Sequence, residues 1–229
     1  AKSPGDDKGM VAARNQFLSA GYYAPLRDAL CALALRHTGP SVSVLDSGCG
    51  EGYYTAGLHT ALAEAGKQVQ LVGIDLSKPS VRLAARRVPA GEFAVASAYH
   101  LPVAGRSVDL LLNCFSPLAL EEFRRVLRPG GLFLYVVPAA DHLWELKQVL
   151  YDTPYPNQEQ DIPYEGFSYL DVVPVETAME VTGADLPHLF QMTPYYWKTP
   201  KAGAARLAEL DGLRVRASFR IHVFRREEA

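Results

Sequence analysis

The chain has 229 residues, of which 48% are hydrophobic, 21% charged and 10% aromatic, a composition that is ordinary for a globular protein. At roughly 100–200 residues per domain, this length predicts one large domain. There are 23 Lys and Arg against 25 Asp and Glu, a formal net charge of −2 that argues against a protein held to nucleic acid by bulk charge alone. Dispersed cysteines, no signal peptide and no apolar run of ~20 residues predict a cytoplasmic protein without a metal site or a membrane span.

Helices and strands alternate along the first two thirds of the chain. After a polar lead-in over 1–8, apolar residues at helical spacing predict two helices within residues 1–40. Strands are then predicted at 41–46, 69–74, 93–96, 108–113 and 132–137, and helices at 54–65, 78–87, 118–127 and, capped by Asp141, up to residue 150. Continuous apolar strands are typical of a parallel sheet covered on both faces, so we expect a doubly wound, mostly parallel α/β sheet.

The last third of the chain is less regular. Three prolines and several tyrosines predict a loop or lid at about 152–166. One helix at 202–210 and one alternating strand at 213–224 complete the pattern. The expected organisation is a helical lead-in over 1–40 and one α/β domain over 41–229.

A glycine-rich turn follows the first predicted strand, with the sequence DSGCGEG at 46–52. Glycines in this place let the backbone approach a ligand closely, and the next helix offers its free N–H groups. The spacing G-x-G-x-G departs from the dinucleotide fingerprint, and Asp46 beside Gly48 and Gly50 would repel a phosphate and attract a cation. We therefore expect a nucleoside that carries positive charge; a tight turn without a ligand is the alternative.

Asp75 ends the second predicted strand. In a doubly wound sheet this strand end lies beside the glycine-rich turn, so the Asp75 carboxylate can accept hydrogen bonds from both ribose hydroxyls of a nucleoside. The alternative is that Asp75 caps the following helix, although Ser77 can serve as that cap. We expect the ribose role.

Three motifs together resemble the class I S-adenosylmethionine-dependent methyltransferases. They are VLDSGCGEG at 44–52, GIDLS at 73–77 and LRPGG at 127–131. Four further stretches, spread over nearly the whole chain, resemble the bacterial 23S ribosomal RNA guanine-N1 methyltransferase family. They are AGYYAPL at 20–26, GEGYYT at 50–55, HLWELK at 142–147 and QMTP at 191–194. This resemblance implies a seven-stranded Rossmann-like sheet, S-adenosylmethionine as cofactor, a 23S rRNA hairpin loop as partner and methylation of guanine N1. A homodimer is a separate expectation.

The resemblance also implies a set of cofactor-binding residues. Those expected to hold the cofactor are Tyr23, Asp46, Gly48, Gly50, Tyr54, Thr55, Asp75, Leu76, Ser97 and His142. Members of the family begin with a zinc ribbon of Cys and His ligands. This sequence starts after the point where the ribbon would end, and its three cysteines do not rebuild it. We therefore expect that this chain by itself keeps its affinity for the cofactor but methylates RNA poorly.

The end of the fourth predicted strand carries the candidate catalytic residues, Asn113 and Phe115. In a parallel sheet this edge faces the ligand, so Phe115 can stack on a purine while Asn113 or Ser116 reads its edge. The alternative is that Phe115 plugs the core. Asp141 and His142 are candidate bases for the weakly acidic N1 of guanine, and a cofactor contact is the preferred role of His142. A Cys114 nucleophile is not favoured, because no paired motif accompanies it.

Three basic clusters are candidates for an RNA-facing surface. They are Arg82, Arg86 and Arg87; Arg124, Arg125 and Arg128; and Lys198, Lys201 and Arg206 after the aromatic run at 195–197. Aromatic and cationic side chains together suit single-stranded RNA, whereas charged helix faces are mostly only solvated. Two other functions remain open on the same sequence: a small-molecule methyltransferase and a catalytically silent cofactor-binding module.

Overall fold

The computed structural model describes residues 5–228, in which seven strands form one sheet. The strands are β1 Ser41–Ser47, β2 Gln68–Asp75, β3 Glu92–Val95, β4 Val108–Cys114, β5 Leu127–Pro138, β6 Phe167–Thr182 and β7 Gly212–Arg226. The helices are α1 Lys8–Ser19, α2 Ala24–His37, α3 Tyr53–Glu64, α4 Lys78–Arg87, α5 Leu120–Val126, α6 Trp144–Leu150, α7 Leu186–Met192 and α8 Lys201–Ala208, with a 3₁₀ turn at Pro194–Trp197. None of the helices in this part of the chain is both long enough and apolar enough to cross a membrane.

The sheet has the order β3-β2-β1-β4-β5-β7-β6, in which β7 alone runs antiparallel to its neighbours. The chain moves outward from β1 to β3 and then returns to β4 beside β1, so the carboxyl ends of β1 and β4 meet at the switch point. Leu110 and Leu112 of β4 pack into one core and Leu111 into the core on the other face. Both faces of the parallel strands are therefore buried, and the predicted α/β fold class is confirmed.

The two N-terminal helices belong to the same core as the sheet. Phe17, Tyr23, Leu26 and Leu30 are buried in the cluster that holds the inner face of β1 and β4. The expected boundary at residue 40 is therefore a change of secondary structure and not a gap in the packing. Of the polar lead-in predicted over 1–8, residues 1–4 lie outside the described residues.

Three elements of the C-terminal half differ from the sequence expectation. Strand β6, with 16 residues, and helix α7 were not predicted. β6 is an edge strand with many exposed side chains, and its polar residues hide the apolar periodicity of a buried strand. The prediction that Asp141 caps α6 is wrong, because Leu143 holds the cap position and Asp141 instead pairs with Arg216 at 3.1 Å.

Candidate active site

A cleft of about 1440 Å³ opens along the carboxyl edge of the sheet. Its walls come from the glycine-rich turn after β1, the ends of β2 and β3, the turn after β4, the start of α6 and the segment 192–197. Small-ligand pockets commonly measure roughly 300–1,000 Å³, so this cleft has room for a nucleoside and for a second ligand beside it.

The glycine-rich turn is shaped by close backbone contacts. Gly48 has φ +83°, and a Cβ at this position would lie 1.9 Å from Ser116 Oγ, so no other residue fits there. Gly50 has φ +55°, and its N–H donates a 3.0 Å hydrogen bond to Asp75 Oδ2. Asp75 also accepts from the Ser77 N–H at 2.8 Å, which fixes the carboxylate at the cleft while lone pairs remain for a ligand.

Asp46 is a buried carboxylate on the floor of the cleft, and its surroundings raise its pKa to about 7. Burial is the main cause, and the neighbouring carboxylates of Asp75 and Glu51 add to it. Thr55 donates a 2.6 Å hydrogen bond to Asp46 Oδ2, which favours the charged form. A cationic ligand stabilises the charged form of such a carboxylate, because the attraction between opposite charges offsets the hydration that is lost on burial.

Thr55 does not line the cleft, although the resemblance places it against the cofactor. Its side chain is fully buried behind Asp46, and its hydroxyl is used by the Asp46 carboxylate. Thr55 therefore orients the Asp46 carboxylate, and its hydroxyl does not face the cleft.

Tyr23, Tyr54 and His142 come together on the wall opposite the β2 end of the cleft. The ring of Tyr23 lies 6.4 Å from that of His142, between centroids, and both pack on Phe219. The Tyr54 hydroxyl is buried and has no hydrogen-bond partner among the described residues. An unpaired buried hydroxyl is costly, so it provides a donor for a polar group of a bound ligand.

His142 is a hydrogen-bond donor and not a base. Its Nδ1 accepts from the Ser218 N–H at 3.1 Å, so the proton of the neutral ring is on Nε2. Burial lowers the pKa of His142 to about 4, which keeps the ring neutral at physiological pH. Asp141, the other candidate base, does not line the cleft and pairs with Arg216.

Leu76 and Ser97 lie at the other end of the cleft, where β2 and β3 end. Leu76 is 41% exposed, which is unusual for a large apolar side chain. The Ser97 hydroxyl accepts from the Tyr99 N–H at 3.2 Å. An exposed leucine beside a hydroxyl group offers an apolar surface and a polar contact to a flat heterocycle.

Phe115 stands at the turn after β4 and is 48% exposed in the cleft, so it does not plug the core. Its φ of +55° is a left-handed conformation that is rare and strained for a bulky residue. Strain of this kind concentrates at functional sites. The turn aims the ring out of the sheet, with its centroid 5.6 Å from that of Phe219.

Asn113 does not reach the cleft, so its predicted contact with a base does not fit this structure. The side chain is fully buried, and its Nδ2 donates a 2.9 Å hydrogen bond to the Pro117 carbonyl. This bond closes the turn that carries Phe115. Ser116, whose hydroxyl packs over Gly48, does line the cleft.

Burial disfavours the reactive thiolate form of the two cysteines at the cleft. Burial raises the pKa of Cys49 and of Cys114 well above the usual thiol range, so both stay protonated. Among residues 5–228, no group of three or more His, Cys, Asp or Glu side chains is arranged to hold a metal ion.

Several cleft residues were not identified from the sequence. Arg14 of α1 lines the cleft, pairs with Asp6 and faces the carboxylates of Glu51 and Asp75. The chain before α1 crosses the β2 end of the cleft, where the Asp6 carbonyl accepts from Ser77 Oγ at 2.8 Å. No local signal marks these contacts. Residues 192–195 also line the cleft, and the QMTP motif that overlaps them was the signal available.

Comparisons with known proteins show what this chain is similar to. A family model described as a methyltransferase domain matches residues 44–131, from within β1 to within β5. Over 222 residues the chain is 34% identical to the 23S rRNA (guanine(748)-N(1))-methyltransferase of Streptomyces fradiae, with 93% of this chain and 77% of that protein covered. The chain belongs to the 23S rRNA (guanine-N1)-methyltransferase family. The resemblance found in the motifs is thereby confirmed.

Two further comparisons extend this result. A Bacillus subtilis (strain 168) protein named, as a provisional assignment, for the same activity is 32% identical over 197 residues, covering 83% of this chain and 70% of its own. The solved geranyl diphosphate C-methyltransferase of Streptomyces coelicolor A3(2), with S-adenosyl-L-homocysteine bound, has a TM-score of 0.51 at 15% identity and covers 87% of this chain and 76% of its own. The last likeness shows the shared fold alone.

Asp46→Asn tests the electrostatic role of the buried carboxylate. S-adenosylmethionine carries a sulfonium charge that S-adenosylhomocysteine lacks, and the two molecules are otherwise alike at the amino-acid end. Because the pKa of Asp46 is about 7, the ratio of the two affinities should rise as pH increases through about 7 in the unmodified protein. In Asp46→Asn the ratio should lose this rise and fall by about tenfold at pH 8, as measured by calorimetry.

The same variant provides its own control for folding. The folded-state pKa of Asp46 lies above the ordinary value of 3.8, so its ionisation lowers stability as pH rises from about 4 to 7. Asp46→Asn keeps an acceptor for Thr55 and should raise the Tm of the cofactor-free protein at pH 8. An affinity ratio unaffected by pH and by the substitution would show that Asp46 does not face the sulfonium.

Asp75→Ala tests the ribose contact. The substitution removes the acceptor of the Gly50 N–H and the carboxylate expected to accept from the ribose, and should weaken cofactor binding by about 1–3 kcal/mol. Both S-adenosylmethionine and S-adenosylhomocysteine carry the ribose, so calorimetry should show an equal loss for both. Equal affinity of the variant and the unmodified protein for either molecule would contradict the assignment.

Proposed function

We propose that this protein transfers a methyl group from S-adenosylmethionine to N1 of a guanine in a hairpin loop of 23S rRNA. The observation that carries the proposal is the strained, exposed Phe115 beside Gly48 and Asp46, at the point where β1 and β4 end together. Family membership supports the substrate class. Ribosomal RNA as substrate supports the cytoplasm as the compartment.

The residues at the cleft fit S-adenosylmethionine. The glycine-rich turn and Asp75 suit the ribose, and Leu76 and Ser97 suit the adenine. Asp46 suits the positively charged end, and the free Tyr54 hydroxyl and the Nε2–H of His142 suit its polar atoms. When bound, the cofactor supplies an electrophilic methyl group on a sulfonium.

Phe115 is the platform for the target base in this proposal. A guanine turned out of an RNA loop can stack on the exposed ring, an interaction worth about 1–3 kcal/mol per base. Ser116, next to Gly48, then offers a hydroxyl to the base edge at the cofactor side. His142 does not take the N1 proton, because its Nδ1 is already an acceptor for Ser218. The proton passes to water at the open cleft as N1 takes the methyl group, and the electron pair of the broken carbon–sulfur bond stays on sulfur. The chain acts chiefly by alignment, which can lower a barrier by roughly 7–11 kcal/mol.

Among residues 5–228, some of the candidate basic side chains form ion pairs with carboxylates, and others do not. Arg87 pairs with Glu51, Arg125 with Glu122 and Arg128 with Asp109. In contrast, Lys78 and Arg82 are exposed on the rim of the cleft, and no ion pair engages them within the described part of the chain. These two cations and the exposed rings of Tyr99 and Trp197 make a track on which single-stranded RNA can lie.

Phe115→Ala should lower RNA turnover at saturating cofactor by about tenfold or more, because it removes the stacking surface. Cofactor affinity should stay within about 0.5 kcal/mol, since the ring lies outside that part of the cleft. Transfer of a radiolabelled methyl group to a 23S rRNA hairpin measures the turnover, and calorimetry measures the cofactor affinity.

Phe115→Gly is the matched control for strain. Glycine adopts a φ of +55° without cost, so this variant should have a higher Tm than the unmodified protein while turnover falls as in Phe115→Ala. Unchanged turnover in both variants would move the base platform to the aromatic run at 195–197.

Lys78→Ala/Arg82→Ala should weaken RNA binding and reduce the slope of log affinity against log salt by about 1 for each phosphate that the variant no longer binds. The control is Arg36→Ala/Arg214→Ala, which removes the same charge from exposed positions off the cleft and outside the candidate RNA-facing clusters. Filter binding at several salt concentrations compares the two. An equal slope for both double variants would mean that the track does not bind phosphates.

The proposed activity itself is tested by primer extension on ribosomal RNA from cells with and without the gene. A stop at one guanine only in the presence of the gene supports it, since a methyl group on N1 blocks base pairing. Methylation of a small molecule and no such stop would favour the alternative substrate class. The homodimer stays a prediction, which sedimentation of the purified protein tests.

A further inference from the structure

Lys147 of α6 is a fully buried lysine that the proposed reaction does not use. Its Nζ donates hydrogen bonds to the Tyr155 carbonyl and to Asn157 Oδ1, each at 2.9 Å. The same Nζ lies 5.2 Å from the centroid of the Tyr155 ring and 5.3 Å from that of Tyr195, within cation–π range. One ammonium group on α6 therefore joins the proline-rich loop to the 3₁₀ turn.

The segments that meet at Lys147 form one side of the cleft. Asn157 belongs to the proline-rich loop over 152–166, and Tyr195 to the 3₁₀ turn; both line the cleft, whereas Lys147 itself does not. Asn157 is further fixed by its N–H on the Ala140 carbonyl and by its Nδ2 on the Ala139 carbonyl, each at 2.9 Å. We call Asn157 and Tyr195 the loop-side wall.

Nothing in the core requires a cation at this position. No carboxylate pairs with Lys147 among residues 5–228, and burial lowers the pKa of its ammonium group. A buried lysine is costly, and an apolar side chain of similar length would fill the same space without that cost. Unlike an apolar side chain, the lysine supplies a set of donors that join the two parts of the loop-side wall.

We propose that Lys147 is a positioning residue that holds Asn157 and Tyr195 in one arrangement and thereby sets how the target base fits against Phe115. This inference rests on the proposed function, because Asn157 and Tyr195 line the same cleft as Phe115. Lys147 touches neither cofactor nor base; it acts through the wall.

The test compares Lys147→Met with Lys67→Met. Methionine has a similar length but no donors. Lys67 also donates to two carbonyls, those of Thr38 and Gly39 at 2.8 and 3.0 Å, but it lies before β2, at the end of the sheet away from the cleft. For Lys147→Met we expect kcat for an RNA hairpin to fall by about tenfold and S-adenosylmethionine affinity to stay within about twofold. For Lys67→Met we expect neither to change.

Two further measurements distinguish positioning from general stability. Cleavage within 152–166 by a protease that cuts after Tyr should be faster in Lys147→Met, and Trp197 fluorescence should shift in a Trp144→Phe background. Asn157→Ala should reproduce the loss of kcat, and the double variant should be no worse than either single variant, because both remove one linkage. Lys147→Arg, which keeps the charge and donors, should recover part of kcat.

Turnover of Lys147→Met within about twofold of the unmodified protein, with unchanged cleavage and fluorescence, would overturn the inference. If Lys147→Met does not fold, turnover, cleavage and fluorescence are measured on Asn157→Ala instead, and unchanged values overturn the inference in the same way. This variant alters a partly exposed residue. Absence of RNA methylation by the unmodified protein would instead contradict the proposed function, while the cleavage and fluorescence results would still report on the wall.

Discussion

The close approach of Gly48 and Ser116 is the contact on which the rest of the site depends. It exists because β1 and β4 are neighbours with parallel directions, so their carboxyl ends reach the same edge. The absence of a side chain at Gly48 lets the turn after β4 pack directly on the glycine-rich turn. The parts of the cleft on the two sides of this contact are thereby placed side by side.

The electrostatics of the cleft follow from the same close packing. Three carboxylates, those of Asp46, Glu51 and Asp75, surround the glycine-rich turn, and burial raises the pKa of the first two. Arg14 from α1 faces this group from the N-terminal side. A site of this kind is unfavourable when empty and favourable when a cation enters, which is the property that a sulfonium cofactor requires. The buried carboxylates at the cleft thus lower the stability of the free protein.

The C-terminal half supplies the wall that the parallel strands leave open. Strand β7 pairs with β5 and carries β6, and its Phe219 packs on Tyr23, His142 and Phe115. The proline-rich loop is fastened to α6 through Lys147 and to β7 through Arg220, which pairs with Asp161 at 2.6 Å. The loop is therefore part of the cleft wall, and its long sequence without regular structure is fixed by side chains at a few points.

The sequence by itself determined the alternation of strands and helices up to residue 150, the glycine-rich turn and the placement of Asp75, because these depend on periodicity and on neighbours along the chain. Only the tertiary structure decided which polar side chains face the cleft. The side chains of Asn113 and Thr55 are buried beneath the surface of the cleft, because burial and hydrogen-bond partners depend on how the turns bend. Edge strand β6 and the contacts of Lys147 also cannot be predicted from local sequence patterns. Their partners are brought near by the order of the strands in the sheet and not by proximity along the chain.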